Sequence, residues 1–93
     1  MTNVLPVQTD NAKLLFAIHD SVANEFNPPI AFPSIAVAVR FFGDLCKKDP
    51  VISNHSSDFS LVWIGSFNCV SGSVISLDES QTVAQATDFF TSE

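Results

Sequence analysis

Apolar and polar residues alternate along the stretch "KLLFAIHD", residues 13–20. In a strand, Leu14, Phe16 and Ile18 would lie on one face of a sheet and the residues between them on the other. Leu14, Leu15 and Ile18 also fit helical spacing, so a helix is the alternative. We predict a strand covered on both faces, because both sets of positions are largely apolar.

The alternation is clearer in "FSLVWIGSFN", residues 59–68. It predicts a strand with one aromatic face, while Val62 and Ile64 occupy the other. The aromatic face consists of Phe59, Leu61, Trp63 and Phe67. Gly65 indicates a bulge or a close approach of another backbone segment. The following "NCVSG" predicts a tight turn, and residues 73–78 predict the returning strand of a hairpin.

A helix is predicted between these two strands. Ser34 is a suitable N-cap residue, and Pro50 would end the helix after a last turn that contains two lysines. Apolar residues recur at helical spacing, namely Ile35, Ala38, Val39, Phe42, Leu45 and Cys46. The preceding "NPPIAFP" cannot be regular helix, because each proline restricts the residue before it to extended geometry. We expect it to be an extended crossover. The "SVANEF" before it, residues 21–26, predicts a turn and a short return or an extended edge.

Together the predicted elements give an α+β fold, a small and largely antiparallel β-sheet in β-α-β-β order with one helix packed on it. Residues 1–12 are expected to form a flexible N-terminal arm, and residues 13–93 a single domain. The tail fits a helix at Val83, Ala86 and Phe90 but is rich in Ser, Thr and Gln, so its structure stays open. Alternation alone does not determine which sheet face the helix covers.

Composition narrows the class of function. With 46% hydrophobic residues and nine Phe, the chain is globular. The net charge of −6 argues against a nucleic-acid binder that relies on its overall field. The chain shows no signal peptide and no apolar run of about 20 residues, so we expect no membrane partner. A domain of 93 residues has limited stability, and a homo-oligomer is compatible with it.

Catalytic chemistry is not indicated. His19 and Asp20 are neighbours on a strand, so their side chains would point to opposite faces. His55 and Asp58 lie in a polar connection with two serines, and nearness in sequence is not the geometry of a catalytic triad. We expect no enzymatic activity, since an enzyme would need a pocket around His55 and nothing in the sequence suggests one.

Cofactor and metal sites are not indicated either. The three glycines do not form a Gly-rich nucleotide loop. Cys46 and Cys69 are far apart, with no CxxC motif and no histidine at metal-binding spacing. We expect two buried free thiols, with a structural disulfide as the less favoured alternative. No cofactor is expected.

Two groups of residues are candidates for contacts with nucleic acid. Phe59, Trp63 and Phe67, on the aromatic face of the second strand, could stack on unpaired bases. The alternative, which we favour, is that this face forms the core under the helix. Arg40, Lys47 and Lys48 could contact phosphates, although a solvated helix face is the commoner role for such cations.

Several motifs follow one another between Leu14 and Val74. The residues concerned are Asp20, Pro28, Pro29, Ala38, Arg40, Phe41, Phe42, Asp44, Asp49, Pro50, His55, Asp58, Phe59, Leu61, Gly65, Phe67 and Gly72. This order resembles the small nonstructural protein of the gokushovirus group of microviruses, which are single-stranded DNA phages. The chain departs from the family pattern at Ser56, Ser57 and Asn68.

The resemblance implies a nonstructural protein, absent from the mature virion, that binds DNA in the host bacterial cytoplasm during genome replication or packaging. It brings no catalytic residues. One hypothesis is therefore an accessory factor that contacts single-stranded DNA, which requires that the helix cations and strand aromatics share one exposed surface. The other is a protein adaptor, as a monomer or homodimer, that engages the replication initiator or procapsid proteins through exposed apolar surface.

Overall fold

The computed structural model describes residues 12–90. In chain order the elements are β1 (Ala12–Asp20), β2 (Glu25–Phe26), β3 (Ile30–Phe32), α1 (Ile35–Lys48), α2 (Pro50–Asn54), β4 (Phe59–Asn68) and β5 (Val74–Gln85), with 3₁₀ turns at Ser56–Asp58 and Ala86–Phe89. The predicted α+β class, with one main helix on an antiparallel sheet, is confirmed. Of the predicted N-terminal arm, residues 1–11 lie outside the described residues, and Ala12 already belongs to β1.

The strands form one antiparallel sheet in the order β2-β1-β4-β5, with β3 also paired to β1. β1 and β4 pair along their length, from Ala12 opposite Asn68 to Asp20 opposite Phe59. The first predicted strand is therefore a strand, and its helical alternative is wrong. β5 runs to Gln85, beyond the predicted residues 73–78, and takes in much of the tail whose structure was open.

Two short strands precede the helix and add to the predicted β-α-β-β order. After β1 the chain reverses in a turn, where Asp20 Oδ1 accepts hydrogen bonds from the backbone N–H groups of Val22 and Ala23 at 3.0 and 3.3 Å. β2 and β3 then pair with β1 on either side of Pro28 and Pro29. The predicted crossover is thus an edge strand in two pieces, because proline cannot donate to the ladder.

The helix begins and ends where the sequence predicts. Ser34 Oγ accepts a hydrogen bond from the Val37 N–H at 3.2 Å, which satisfies one free donor of the first turn. At the other end, Asp49 Oδ1 accepts from the Val51 N–H at 2.9 Å, and Pro50 is the first residue of α2. Part of the predicted polar connection is therefore helical.

All the described helices pack on one face of the sheet. The buried cluster consists of Phe16, Ile18, Ala38, Phe42, Cys46, Ile52, Phe59, Leu61, Ala84 and Ala86. At its centre the fully buried Phe42 ring meets Phe89 edge-on, with 5.9 Å between ring centroids. Of the predicted apolar stripe, Ile35 is exposed. Since Phe59 and Leu61 belong to this cluster, the face of β4 that bears them is the one under α1.

A bulge in β4 changes which face its last residues occupy. Phe16 pairs with Trp63, but the preceding Leu15 pairs with Gly65, so Ile64 is an extra residue in β4. Side chains alternate between faces, and one extra residue moves everything after it to the opposite face. Phe67 therefore points away from the helices, and its predicted place on one face with Trp63 is wrong.

Gly65 lies next to this bulge, as its presence in the strand predicts. A Cβ atom at this position would lie 2.4 Å from the backbone oxygen of Ile75 and 3.2 Å from Cα of Ser76. Only glycine lets β5 approach this closely. The predicted bulge and close backbone approach are both present.

Candidate functional site

The three helix cations lie on the outer surface of α1. Arg40, Lys47 and Lys48 are all exposed. Arg40 and Lys47 are seven residues apart, which places them on one side of the helix about 10 Å apart along its axis. The exposed Asp44 lies between them in sequence and reduces the local positive charge. This surface can offer separate phosphate contacts but is not a continuous basic stripe.

Two of the predicted stacking residues of β4 lie on the covered side of the sheet. Phe59 is 9% exposed and belongs to the core. Trp63 is half-buried against the core, and its Nε1–H donates a hydrogen bond to the Gly65 carbonyl at 2.9 Å. Phe59 therefore has no free ring face for a base, and the predicted exposed surface shared with the helix cations does not form around it. The favoured interpretation of this face, as core, is confirmed.

The opposite side of the sheet, which we call the open sheet face, carries another set of aromatic and basic side chains. Cross-strand pairing arranges it in four rows. These rows are Val74, Phe67 and Lys13; Ser76, Gly65, Leu15 and Ala31; Thr82, Val62 and Ala17; and Gln85, Ser60, His19 and Phe26. Among residues 12–90, no helix packs on this face, because the core residues of every helix belong to the cluster on the other side.

Aromatic rings occupy both ends of the open sheet face. At one end the rings of His19 and the 53% exposed Phe26 are in contact as a tilted pair, with 4.5 Å between ring centroids. At the other end the half-buried Phe67 lies directly opposite Lys13. The two ends are six residues apart along β1, or about 20 Å. In the middle of this face the side chains of Val62 and Ala17 are buried and neither is aromatic. Accessible aromatic rings are therefore confined to the two ends.

The sequence predicted Phe67 as a stacking residue but placed it on the wrong face, and it did not predict the rest of this surface. The sheet face that Phe67 occupies depends on the bulge. Gly65 indicates a bulge, but it does not determine on which side of the glycine the extra residue lies. The pairing of His19 with Phe26 depends on β2, a strand of two residues that alternation cannot detect. The glycine in an aromatic strand could have indicated this surface, because a bulge there moves the residues that follow it to the opposite face of the sheet.

A shallow pocket of about 200 Å³ lies at one end of the sheet. Its lining residues are Asp20, Val22, Val51, His55, Asp58 and Phe59. The expectation that no pocket lies around His55 is therefore wrong. The backbone N–H of Asp58 donates to the His55 carbonyl at 2.9 Å, so the two residues are held together by the main chain. The pocket contains an imidazole and two carboxylates, but no hydroxyl or thiol lines it.

The two thiols differ in environment. Cys46 is fully buried, and Cys69 is exposed in the hairpin turn, so the prediction of two free thiols is confirmed while the burial of Cys69 was wrong. Burial, with the nearby charge of Asp49 as the smaller cause, raises the pKa of the Cys46 thiol to about 11. In residues 12–90 there is no group of three side chains arranged to hold a metal ion. No helix in this part of the chain is long and apolar enough to cross a membrane.

The fold and its surfaces define a small α+β protein with a one-sided helical layer and an aromatic open sheet face. The chain belongs to the phage ORF5 protein family, whose model matches residues 13–89. The bacteriophage part of the resemblance drawn from sequence is thereby confirmed. No curated protein and no solved structure matches the chain.

Proposed function

We propose that this phage protein is a non-enzymatic accessory factor that contacts single-stranded DNA during replication or packaging of the genome. The resemblance to gokushovirus nonstructural proteins supports this role, together with action in the host bacterial cytoplasm and absence from the mature virion. The observation that carries the proposal is the open sheet face, on which no helix of residues 12–90 packs and where the His19–Phe26 pair and Phe67 lie at the two ends, with Lys13 beside Phe67.

Stacking is the interaction that suits this surface. Bases have apolar faces whatever their sequence, and each stacked base contributes about 1–3 kcal/mol when its aromatic partner is removed by alanine substitution. Phe26 and Phe67 each present a partly accessible ring. The separation of about 20 Å between the two ends allows a strand of several nucleotides to reach both.

Electrostatics limits the affinity. The net charge of −6 repels phosphates at long range, and Lys13 is the basic residue on the open sheet face. Arg40, Lys47 and Lys48 are on the opposite side of the protein, so one short strand cannot contact them and the sheet together. They remain candidates for a second set of phosphate contacts. We expect weak binding that is sensitive to salt.

Fluorescence anisotropy of a labelled oligonucleotide of about 16 nucleotides tests the proposal at low and moderate salt. We expect Phe26→Ala and Phe67→Ala each to weaken binding about 5- to 150-fold, the range that corresponds to the loss of one stacked base. Phe90→Ala is the matched control, because Phe90 is an exposed phenylalanine that follows the 3₁₀ turn on the helix side. His55→Ala tests whether the pocket takes part, and we expect no effect.

The same assay separates the two basic surfaces. An Arg40/Lys47/Lys48→Ala variant lowers the slope of log affinity against log salt by about 0.7 for each phosphate contact that is lost. If this variant loses binding while Phe26→Ala and Phe67→Ala keep the wild-type affinity, DNA contacts the helix and not the sheet. No binding by the wild type at tens of micromolar in low salt would contradict direct contact with DNA.

A protein adaptor is the second candidate function. The observation in its favour is a pair of aromatic rings at the edge of the helical layer. The ring centroids of Phe32 and the 40% exposed Phe41 lie 5.1 Å apart. Ile30, 42% exposed, projects from the same face of β3 as Phe32. Such a patch suits an apolar protein partner, with the replication initiator and procapsid proteins as candidates. Pull-down of these phage proteins by wild type, with loss in Phe41→Ser, tests this alternative.

A further inference from the structure

The β4–β5 hairpin contains the longest stretch of the chain without a charged residue, residues 59–77. Large apolar side chains are exposed at its far end, with Val70, Val74 and Ile75 at 78%, 61% and 66%. In a chain with net charge −6, this is a surface where a second copy can approach without facing like charges.

β5 is also an open edge of the sheet. Among residues 12–90 it pairs with β4 on one side only, whereas the edge formed by β2 and β3 is interrupted by Pro28 and Pro29. β5 contains no proline between Val74 and Gln85. An apolar edge strand with free backbone groups is suited to pairing with another strand.

The ladder shows which backbone groups are free. The Asn68 N–H donates to the Ser73 carbonyl at 2.9 Å. Hydrogen-bonded and non-hydrogen-bonded residue pairs alternate along two antiparallel strands. The backbone N–H and C=O groups of Ile75 therefore point toward β4, and those of Val74 and Ser76 point away from it. The regular edge ends there, because the register shifts between Ser76 and Gln81.

We propose that two copies of this chain pair antiparallel through β5, with the twofold axis at Ile75. In this register Val74 of each copy pairs with Ser76 of the other, and the four backbone hydrogen bonds of these residues close one continuous sheet. The two Ile75 side chains become direct neighbours at a position without hydrogen bonds. This inference is independent of the proposed contact with DNA.

Charge selects this register. With the axis at Ile75, Asp78 of one copy lies opposite Gly72 of the other, and the two Asp78 carboxylates are about 20 Å apart along the sheet, well beyond the Debye length of about 8 Å. An axis nearer the carboxylates would bring Asp78 and Glu79 of both copies together. Like charges directly opposite each other destabilise strand pairing.

A disulfide trap tests the register in a Cys69→Ser background. Residues directly opposite at a position without hydrogen bonds have Cα atoms about 4.5 Å apart, which suits a disulfide. Under mild oxidation at tens of micromolar, Ile75→Cys should convert most of the protein to a covalent dimer. Gln81→Cys is the matched control on the same exposed strand and should form no covalent dimer. The native Cys46 is buried and cannot take part.

Multi-angle light scattering after gel filtration tests the dimer itself. Wild type should give twice the 10.1 kDa mass of one chain at tens of micromolar, and Ile75→Asp should give the mass of one chain. Because Ile75 is 66% exposed, the variant should keep the wild-type circular dichroism spectrum. A monomeric wild type at tens of micromolar would overturn the proposal, as would a dimeric Ile75→Asp or equal cross-linking of the two cysteine variants.

Discussion

Gly65→Ala is the substitution that tests the geometry of the hairpin most directly. The added Cβ atom would lie 2.4 Å from the Ile75 carbonyl oxygen, about 1 Å closer than ordinary van der Waals contact. The second contact, 3.2 Å to Ser76 Cα, is also with backbone. No side chain can rotate away to relieve either contact, so β4 and β5 must separate at this point.

The cost follows from overpacking and from the ladder. Inserting an atom into a closely packed site costs about 1–3 kcal/mol. Separation of the strands also weakens the neighbouring hydrogen bonds, each worth about 0.5–1.5 kcal/mol. We therefore expect the free energy of unfolding to fall by about 2–4 kcal/mol. For 93 residues the whole free energy of unfolding is about 5–14 kcal/mol, so this is a large part of it.

Equilibrium unfolding in urea measures the change in the free energy of unfolding. Circular dichroism follows the sheet, and the fluorescence of Trp63, the one tryptophan in the sequence, follows the region of the bulge. Since Trp63 Nε1–H donates to the Gly65 carbonyl, its emission in the folded state should also shift. Ser66→Ala is the matched control, because it removes an oxygen from the adjacent residue and adds no atom. A Gly65→Ala variant within 0.5 kcal/mol of the wild type would refute the close approach of the two strands.

Two further predictions concern the core. Phe42→Ala removes a fully buried ring and its edge-on contact with Phe89, so unfolding in urea should show a loss of about 3–5 kcal/mol, and a loss below 1 kcal/mol would contradict this packing. At pH 8 a thiol reagent should label Cys69 alone in the native protein and both cysteines in denaturant, since a pKa of about 11 keeps the Cys46 thiol protonated. The ordinary pKa of 9.0 applies to Cys46 after unfolding, so stability should fall as pH rises from about 9 to 11, and Cys46→Ser should lose this dependence.

The sequence predicted local structure where one residue or one period decides it. Ser34 and Pro50 marked the ends of α1, because a hydroxyl cap and a missing N–H act within a single turn. Alternation identified β1 and β4. For β2 the sequence predicted only a short return or an extended edge, and for β3 only an extended crossover, since two or three residues on either side of a Pro-Pro pair gain a definite strand partner only from their contact with β1.

The candidate site was predicted less well, for a related reason. The sequence identified Arg40, Lys47 and Lys48 as an exposed cationic surface, because helical periodicity alone separates them from the core stripe. It could not place the aromatic residues, since the face of Phe67 depends on an extra residue at Ile64. A bulge arises from pairing with another strand, so the alternation of residues within one strand does not reveal its position.

By itself the sequence determined the class of the fold, the extent of the main helix and the excess of negative charge. These follow from periodicity, capping and composition, which are local or additive properties. Only the tertiary structure decided that Phe59 lies in the core and Phe67 on the open sheet face, that His19 contacts Phe26, and that β5 is an edge strand of the sheet formed by residues 12–90. Each of these depends on which segments meet across the sheet, and such contacts are fixed by packing of the whole chain.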